Sequence, residues 1–248
     1  MLDFVFQSTR RWCDFMNRYA TYFIAIFACY CVQPVAVSAQ IYDFSSIKIL
    51  CIGYSITQGG NLKEEYTYRL PLFRLIQQKG VRVDFIGARK SGLNESFSWP
   101  ADFDLDHEGF YGATTSAVNQ ALKVDLPALP APDIAIIDLG ANDEGKNAEV
   151  AVVKPLTEII FQLRARNPRI KILIVQIPGI FKNFGIHFQT WRMARNLGQT
   201  TSPVVTIPLY WGWDTESDTF DRAHPNVKGQ QKMAAAIFAV LESMLDSK

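Results

Sequence analysis

Five short apolar segments alternate along the chain with stretches of helical periodicity, and this pattern limits the possible folds more than any other feature. The segments are rich in Ile, Val and Leu and cover residues 48–53, 81–87, 133–140, 171–178 and 202–209. Amphipathic patterns predict helices over residues 68–80, 114–122, 155–166 and 226–245. Apolar strands separated by helices are typical of a parallel sheet that is covered on both faces. The sequence therefore predicts an α/β fold with a five-stranded parallel sheet.

Composition favours one globular domain. The chain has 248 residues, of which 48% are hydrophobic, and this length suits one large core better than two. Lys and Arg number 25 against 24 Asp and Glu, so no basic excess supports nucleic acid as a partner.

The N-terminal region, residues 1–39, has a different character. Three arginines precede an apolar run over residues 22–32, and small residues lead up to Ala39, which is the layout of a secretory signal peptide. The run is shorter than the about 20 residues of a membrane span. We therefore expect cleavage after Ala39, a single domain over residues 40–248, no membrane span in the mature protein, and a secreted or periplasmic location. An uncleaved anchor is the alternative, and Met16 is an alternative start.

Sites in parallel α/β sheets form at the carboxyl ends of the strands. The segment GYSITQGG places Ser55 directly after the first predicted strand. The G-x-S-x-G elbow of α/β-hydrolases is absent because residue 57 is Thr. By itself, Ser55 is either a nucleophile or a residue that caps a short helix.

The loop LGANDEGKN, after the third predicted strand, has two interpretations. Its glycines and Lys146 match a phosphate-binding loop, but Asn147 stands where Ser or Thr is needed, and Asp143 is acidic where phosphates would lie. Alternatively, the side-chain amide of Asn142 can donate a hydrogen bond to a developing oxyanion. We favour the second interpretation.

The segment DRAHPN contains a carboxylate and an imidazole three residues apart. Asp221 can orient His224 through one ring nitrogen and leave the other nitrogen free to take a proton from a serine. The alternative is an ordinary surface ion pair.

A cluster of acidic residues, Asp102, Asp104 and Asp106, has the spacing that begins a calcium-binding loop. That loop needs Gly at its sixth position and Glu at its twelfth, where this chain has His107 and Ala113. We expect a solvated acidic turn and no metal site.

Four motifs together resemble the SGNH, or GDSL, hydrolases. The family's blocks match IGYSITQGG, HEGFYGATT, GAND and DRAHPN, in the family's order, and the resemblance covers residues 47–245. It implies a three-layer α/β/α sandwich of flavodoxin-like topology, and ester hydrolysis with no cofactor or metal.

The resemblance also implies residue roles. Ser55 would be the nucleophile, His224 the general base and then acid, and Asp221 the residue that orients His224. The oxyanion hole would be formed by the backbone N–H groups of Ser55 and Gly112 and by the amide of Asn142.

Within the family, the chain looks most like carbohydrate acetyl esterases of the acetyl xylan esterase type. The expected substrate is a small-molecule or polysaccharide ester, and Trp211 and Trp213 either line a sugar site or pack in the core. A lipid-directed lysophospholipase or acyltransferase is one alternative; a non-catalytic carbohydrate-binding protein on a degenerate esterase fold is another. Tyr54 stands where the family usually has Asp, which is not one of the four name-giving residues, so the chemistry can survive its loss. The bulkier, uncharged Tyr54 is expected either to reshape the pocket beside Ser55 or to lower activity.

Overall fold

The computed structural model describes residues 46–143, 145–176 and 180–245, and the side chains of residues 180–183 are not described. The predicted signal peptide and its cleavage site lie outside these residues. Within the described ranges, no helix is both long and apolar enough to cross a membrane.

The strands form one parallel sheet. Within the described part of the chain the sheet contains β1 (Ile47–Gly53), β2 (Val83–Ile86), β3 (Glu108–Gly109), β4 (Ile134–Asp138), β5 (Lys171–Gln176) and β6 (Val204–Pro208). The strand order is β2-β1-β4-β5-β6, and the two-residue β3 pairs with the carboxyl end of β1. The predicted five-stranded parallel sheet is confirmed. The extra strand β3 was not predicted because Glu108–Gly109 contains no apolar run.

The helices surround this sheet. They are α1 (Ser55–Gln58), α2 (Arg69–Gln78), α3 (Thr115–Asp125), α4 (Lys154–Arg166), α5 (Ile180–Leu197), α6 (Thr215–Asp218) and α7 (Val227–Leu245). Helix α2 packs on α7, and α3 packs on α4. Right-handed crossovers place α2 on one face of the sheet and α3 and α4 on the other, because the chain moves one way from β1 to β2 and the opposite way from β2 to β5. Helix α7 follows the last strand and joins α2. The four predicted helices are confirmed.

Helix α5 was not predicted. It carries large apolar side chains on its buried side, such as Ile186 and Met193, and also on its solvent side, such as Phe188 and Trp191. A helix that is apolar on both sides lacks the contrast that periodicity analysis detects.

The sheet is the centre of the core. Every residue of β4 is buried, and β1 is buried from Ile49 to its end. The carboxyl ends of β1 and β4 lie side by side because Gly53 pairs in register with Asp138. The loops that follow these two strands therefore start close together.

Candidate active site

Ser55 begins helix α1 immediately after β1. Gly53 makes the tight turn possible, because a Cβ at this position would lie 2.1 Å from Thr57 Oγ1 and 2.8 Å from the carbonyl oxygen of Asp138. Only glycine permits so close an approach. Ser55 is buried, and its hydroxyl faces the loop that carries His224.

Three side chains form a chain of hydrogen bonds. The Nδ1 atom of His224 lies 2.7 Å from Asp221 Oδ2, and its Nε2 atom lies 3.1 Å from Ser55 Oγ. The backbone N–H of His224 also donates to Asp221 Oδ1 at 2.7 Å, which fixes the carboxylate against the ring. Nδ1–H donation to Asp221 leaves Nε2 as an acceptor for the serine hydroxyl.

Asp221 is kept ionised by its partners. Burial acts to raise the pKa of its carboxyl group, but hydrogen bonds from the N–H groups of His224 and Ala223 and from the imidazole outweigh this effect. The pKa of Asp221 is therefore below its usual value, and the anion can stabilise a positive charge on His224. The alternative of an ordinary surface ion pair does not account for the contact between His224 and Ser55.

Tyr111 is a site residue that the sequence analysis missed. Its hydroxyl lies 3.1 Å from His224 Nε2, and the two rings stack with their centroids 5.4 Å apart. Asn61 Nδ2 donates to the same hydroxyl at 3.2 Å. The hydroxyls of Tyr111 and Ser55 thus approach the same nitrogen atom. Tyr111 directly precedes Gly112 in the second motif, but nothing in its sequence context indicates this contact.

Gly112 and Asn142, the expected oxyanion-hole donors, each keep an N–H hydrogen that the described residues do not use. Gly112 has φ +73°, in the left-handed region that favours glycine, and its N–H makes no hydrogen bond within the described residues. Asn142 Nδ2 donates to the carbonyl oxygen of Ala113 at 2.9 Å, which leaves its second hydrogen available. The loop is held by Asp143, whose Oδ2 accepts hydrogen bonds from the N–H and the hydroxyl of Thr115.

Tyr54 points into the core and not into solvent. It is buried beside the equally buried Asp138, and burial raises the pKa of Asp138 to about 7, although the Tyr54 hydroxyl lowers it somewhat. The contact between these two side chains falls short of full hydrogen-bond geometry, and the Asp138 oxygens have no other partner among the described residues. Tyr54, the departure from the family pattern, is therefore a buried neighbour of Asp138.

A second layer of buried polar groups supports α1. Thr57 Oγ1 lies 3.2 Å from the hydroxyl of Tyr68, and the carbonyl oxygen of Thr57 accepts a bond from Arg69 Nε at 2.9 Å. Arg69 is fully buried and also donates to the carbonyl oxygens of Leu105 and Asp106. The residues after Ser55 are thus anchored to α2 from below.

The phosphate-loop match has a different explanation in the structure. Lys146 Nζ lies 3.3 Å from Asp143 Oδ1, so the lysine pairs with a carboxylate of its own loop. A lysine that is paired in this way does not favour the phosphate-loop interpretation, so Asn142 remains the preferred functional residue of the segment.

The acidic turn differs from its prediction. Asp104 is partly buried and accepts hydrogen bonds from the N–H groups of Phe85 and Asp106, and the following His107 is buried. The expectation of a solvated turn is therefore wrong for Asp104, because its carboxylate bonds to β2. Among the described residues, no group of three or more His, Cys, Asp or Glu side chains is placed to hold a metal ion.

The two tryptophans of the 211–213 segment differ from each other. Trp211 is 79% exposed, whereas Trp213 packs against the core. Trp213 therefore fits the packing alternative, but it is only partly buried, and both tryptophans line one surface pocket together with Lys232.

Comparisons with known proteins identify the family and the fold. A family model described as GDSL-like Lipase/Acylhydrolase family matches residues 51–232. The fold is similar to that of a carbohydrate esterase family 3 protein from Talaromyces cellulolyticus, with a TM-score of 0.70 and 26% identity over 82% of this chain and 99% of the other. It is also similar to a serine-to-alanine variant of an acetyl esterase with an acetate ion, with a TM-score of 0.66 and 25% identity over 80% and 98% of the two chains.

A family 3 carbohydrate esterase from Clostridium thermocellum has the same fold, with a TM-score of 0.62 and 24% identity over 81% of this chain and 98% of the other. Comparison with curated protein sequences gave no significant match. The family model covers most of the chain, and the structural relatives are matched over nearly their whole length. The chain therefore belongs to the GDSL-like lipase/acylhydrolase family and is a carboxylic ester hydrolase.

Proposed function

We propose that the protein is a serine esterase that removes acetyl groups from carbohydrates through a Ser55–His224–Asp221 relay and an acyl-enzyme intermediate. The observation that carries the proposal is the continuous hydrogen-bond chain, with 3.1 Å between Ser55 Oγ and His224 Nε2 and 2.7 Å between His224 Nδ1 and Asp221 Oδ2. The similarity to carbohydrate esterase family 3 and to an acetyl esterase supports the choice of acyl group and of substrate class.

The first half of the mechanism forms the acyl-enzyme. As Ser55 Oγ attacks the ester carbonyl, its proton passes to His224 Nε2, and Asp221 stabilises the imidazolium ion. The negative charge on the carbonyl oxygen is stabilised by the oxyanion-hole donors, which are the N–H groups of Ser55 and Gly112 and the amide of Asn142. When the C–O bond breaks, His224 Nε2–H protonates the departing sugar hydroxyl.

The second half releases acetate. Water approaches the acyl-enzyme from the side vacated by the sugar, and His224 Nε2 takes its proton as the oxygen attacks. Collapse of the second tetrahedral intermediate returns the proton to Ser55 Oγ. The cycle balances with one water consumed and one acetic acid formed.

The test compares two serine variants of the full chain. Ser55→Ala should abolish hydrolysis of p-nitrophenyl acetate, because it removes the aliphatic hydroxyl that His224 Nε2 activates. Ser96→Ala removes an exposed hydroxyl from a loop and serves as the control, with activity unchanged. Equal rates for the parent and Ser55→Ala would rule out Ser55 as the nucleophile.

Substrate class is tested separately with the active parent. Release of acetate from acetylated xylan, and a fall in rate from acetyl to long-chain p-nitrophenyl esters, are expected. Faster turnover of a lysophospholipid or of a palmitoyl ester would contradict the carbohydrate assignment and favour the lipid-directed alternative.

The oxyanion hole is tested at Asn142. Asn142→Ala removes one of three donors and should lower kcat by about 10²–10³-fold with a smaller effect on KM. Asn147→Ala removes an amide of the same loop whose oxygen only accepts a bond from the N–H of Val150, and should leave kcat within about twofold. Equal losses in both variants would indicate a disturbed loop instead of a lost donor.

We also propose that the enzyme acts outside the cytoplasm, after removal of residues 1–39. The arginines, the apolar run and the small residues before Gln40 support this proposal. N-terminal sequencing of the exported protein should begin at Gln40, and a start at Met1 or Met16 would contradict cleavage.

A further inference from the structure

Helix α5 presents a row of aromatic side chains to solvent. Phe184, Phe188 and Trp191 are 60%, 48% and 41% exposed. The rings touch in series, with centroids 6.3 Å apart between Phe184 and Phe188 and 5.9 Å apart between Phe188 and Trp191. Single exposed apolar side chains are ordinary on protein surfaces, but a contiguous patch marks a contact surface.

Helical geometry places these rings on one line. The spacing of four and three residues keeps Phe184, Phe188 and Trp191 within an arc of about 60° on the helix surface. Arg195 lies on the same line, and its guanidinium is 5.0 Å from the centroid of Trp191. The row extends for roughly 16 Å along α5 at about 1.5 Å per residue. We call Phe184, Phe188, Trp191, Arg192 and Arg195 the α5 surface.

The opposite side of α5 already packs against the domain. Ile186, Met193 and Ala194 are buried, and the Thr190 hydroxyl is buried among backbone carbonyls. The exposed rings are therefore not needed for attachment of the helix to the core, and burying them against another surface would remove a second apolar face from water.

The charges around the α5 surface indicate which kind of partner surface can bind it. Residues 159–213 contain five arginines and two lysines but no Asp or Glu, although the whole chain has a net charge of only +1. Arg192 and Arg195 form no ion pair with any residue in the described ranges, and Glu149 lines the same groove as Arg192 without pairing with it. Two unpaired cations beside exposed rings favour an anionic partner.

The kinds of aromatic residue favour one class of anionic partner over a polysaccharide. Two of the three rings are Phe, which has no polar group to bond to sugar hydroxyls, whereas Tyr and Trp do have such a group. Helices that bind to a bilayer surface combine Phe, Trp or Leu with Lys or Arg, since the rings enter the boundary below the headgroups and the cations remain among the phosphates. An anionic bilayer therefore matches this surface better than a polysaccharide does.

We propose that the α5 surface docks the enzyme onto bilayers that contain anionic phospholipids. The docking is separate from the chemistry at Ser55, because no residue of the α5 surface belongs to the relay or to the oxyanion hole. It adds a membrane-contact function to the esterase and does not depend on which ester is hydrolysed.

The test is co-sedimentation of the full chain with vesicles of phosphatidylcholine alone and of phosphatidylcholine with phosphatidylglycerol at 3:1. The parent should bind the anionic vesicles and bind the neutral ones far more weakly. The triple variant Phe184→Ser/Phe188→Ser/Trp191→Ser should lower partitioning at least tenfold. The double variant Arg192→Gln/Arg195→Gln should lower it by about 30-fold, as expected for two charges near an anionic surface.

Matched controls isolate the α5 surface. The control for the rings is Phe161→Ser, which removes a lone ring on α4 that is 56% exposed. The control for the charges is Lys63→Gln/Arg169→Gln, which removes two exposed charges elsewhere. Both control variants should bind anionic vesicles as the parent does. Every protein keeps the full chain, so any contribution of residues 1–45 is common to all of them. Equal turnover of soluble p-nitrophenyl acetate by parent and variants verifies folding, and Ser55→Ala should bind vesicles normally.

Several results would overturn the proposal. Equal vesicle binding by the parent and the triple variant would show that the α5 surface is not the contact. Loss of binding to acetylated xylan, with vesicle binding unchanged, would identify a polysaccharide platform. A dimeric parent and a monomeric triple variant in light scattering would identify an interface between two copies of the chain.

Discussion

The two halves of the relay are held in place in different ways. Ser55 is buried at the end of β1, next to Tyr54 and above the Thr57–Tyr68 contact. Asp221 and His224 lie in a turn at the surface, where their side chains are 44% and 18% exposed. One half is fixed by the core and the other by hydrogen bonds and a ring stack.

This difference separates stability from activity. Changes beneath Ser55 alter buried polar groups, whose effects on folding are large. Changes in the turn of Asp221 and His224 alter groups that are less buried than Ser55, so their effects on folding are smaller even though their effects on the chemistry are large. Substitutions on the two sides should therefore give opposite patterns in activity and stability.

Among the variants that keep the Ser55 hydroxyl, the largest effect is expected for Asp221→Asn. The amide can donate to His224 Nδ1 and so hold the imidazole in the wrong tautomer, which should lower kcat by about 10⁴-fold. Because Asp221 is on the surface, the free energy of unfolding should change by less than about 1 kcal/mol. Ester hydrolysis and urea denaturation of the same sample measure both quantities. Asp102→Asn, at an exposed carboxylate remote from the relay, is the control, and a loss of activity below tenfold would contradict the proposed role of Asp221.

Asp138→Asn should show the reverse pattern, with an effect on stability that depends on pH. The pKa of Asp138 is raised from 3.8 to about 7 by burial, so the folded state retains a proton that the unfolded chain releases. The stability that this proton contributes is fully present below about pH 4 and is lost as the pH rises through about 7. Asn cannot ionise, so its free energy of unfolding does not fall in this way. Between pH 4 and pH 8, the free energy of unfolding of the variant should therefore rise relative to that of the parent by about 2–4 kcal/mol.

Urea denaturation of both proteins at several pH values in this range measures that difference. Other titrating groups, such as Glu108, are common to the two proteins and cancel. If the free energies of unfolding of the parent and Asp138→Asn differed by the same amount at every pH, Asp138 would be ionised in the folded protein. That result would contradict the contrast between the buried Ser55 side and the more exposed Asp221–His224 side of the relay.

The smallest effect is expected for Tyr111→Phe, at the contact between the two halves. The hydroxyls of Tyr111 and Ser55 compete for His224 Nε2, and Phe retains the stacked ring but removes the competitor. Because one such hydrogen bond has a net value of about 0.5–1.5 kcal/mol, kcat/KM for p-nitrophenyl acetate should rise by about two- to tenfold. Tyr111→Ala, which also removes the ring, should lower it. A large decrease with Phe would instead make the hydroxyl a contributor to catalysis.

The sheet could be predicted from sequence because its strands are buried on both faces and have continuous apolar runs. Helix α5 could not be predicted in this way. Phe184, Phe188 and Trp191 face solvent, so both sides of the helix are apolar and its sequence lacks the contrast that indicates helical periodicity. The strand β3 is held by two pairings with β1 rather than by apolar content, so local pattern gives no sign of it.

The site could be predicted only in part. Short motifs indicated Ser55, Asp221 and His224, which the structure brings within hydrogen-bond distance. The contacts of Tyr111 and Asp138 depend on side chains from distant parts of the chain that meet only after folding. Tyr54 was identified as unusual, but its burial beside Asp138 follows from the pairing of β1 with β4, which a local motif does not reveal.

Covalent capture of the nucleophile tests the central claim most directly. Diethyl p-nitrophenyl phosphate transfers a phosphoryl group to an activated serine and releases p-nitrophenol. Peptide mass spectrometry should find one diethylphosphoryl group per chain, on Ser55, with activity lost in parallel, and His224→Ala should slow the labelling strongly. Labelling of another residue with loss of activity, or full activity after Ser55 is modified, would contradict the account.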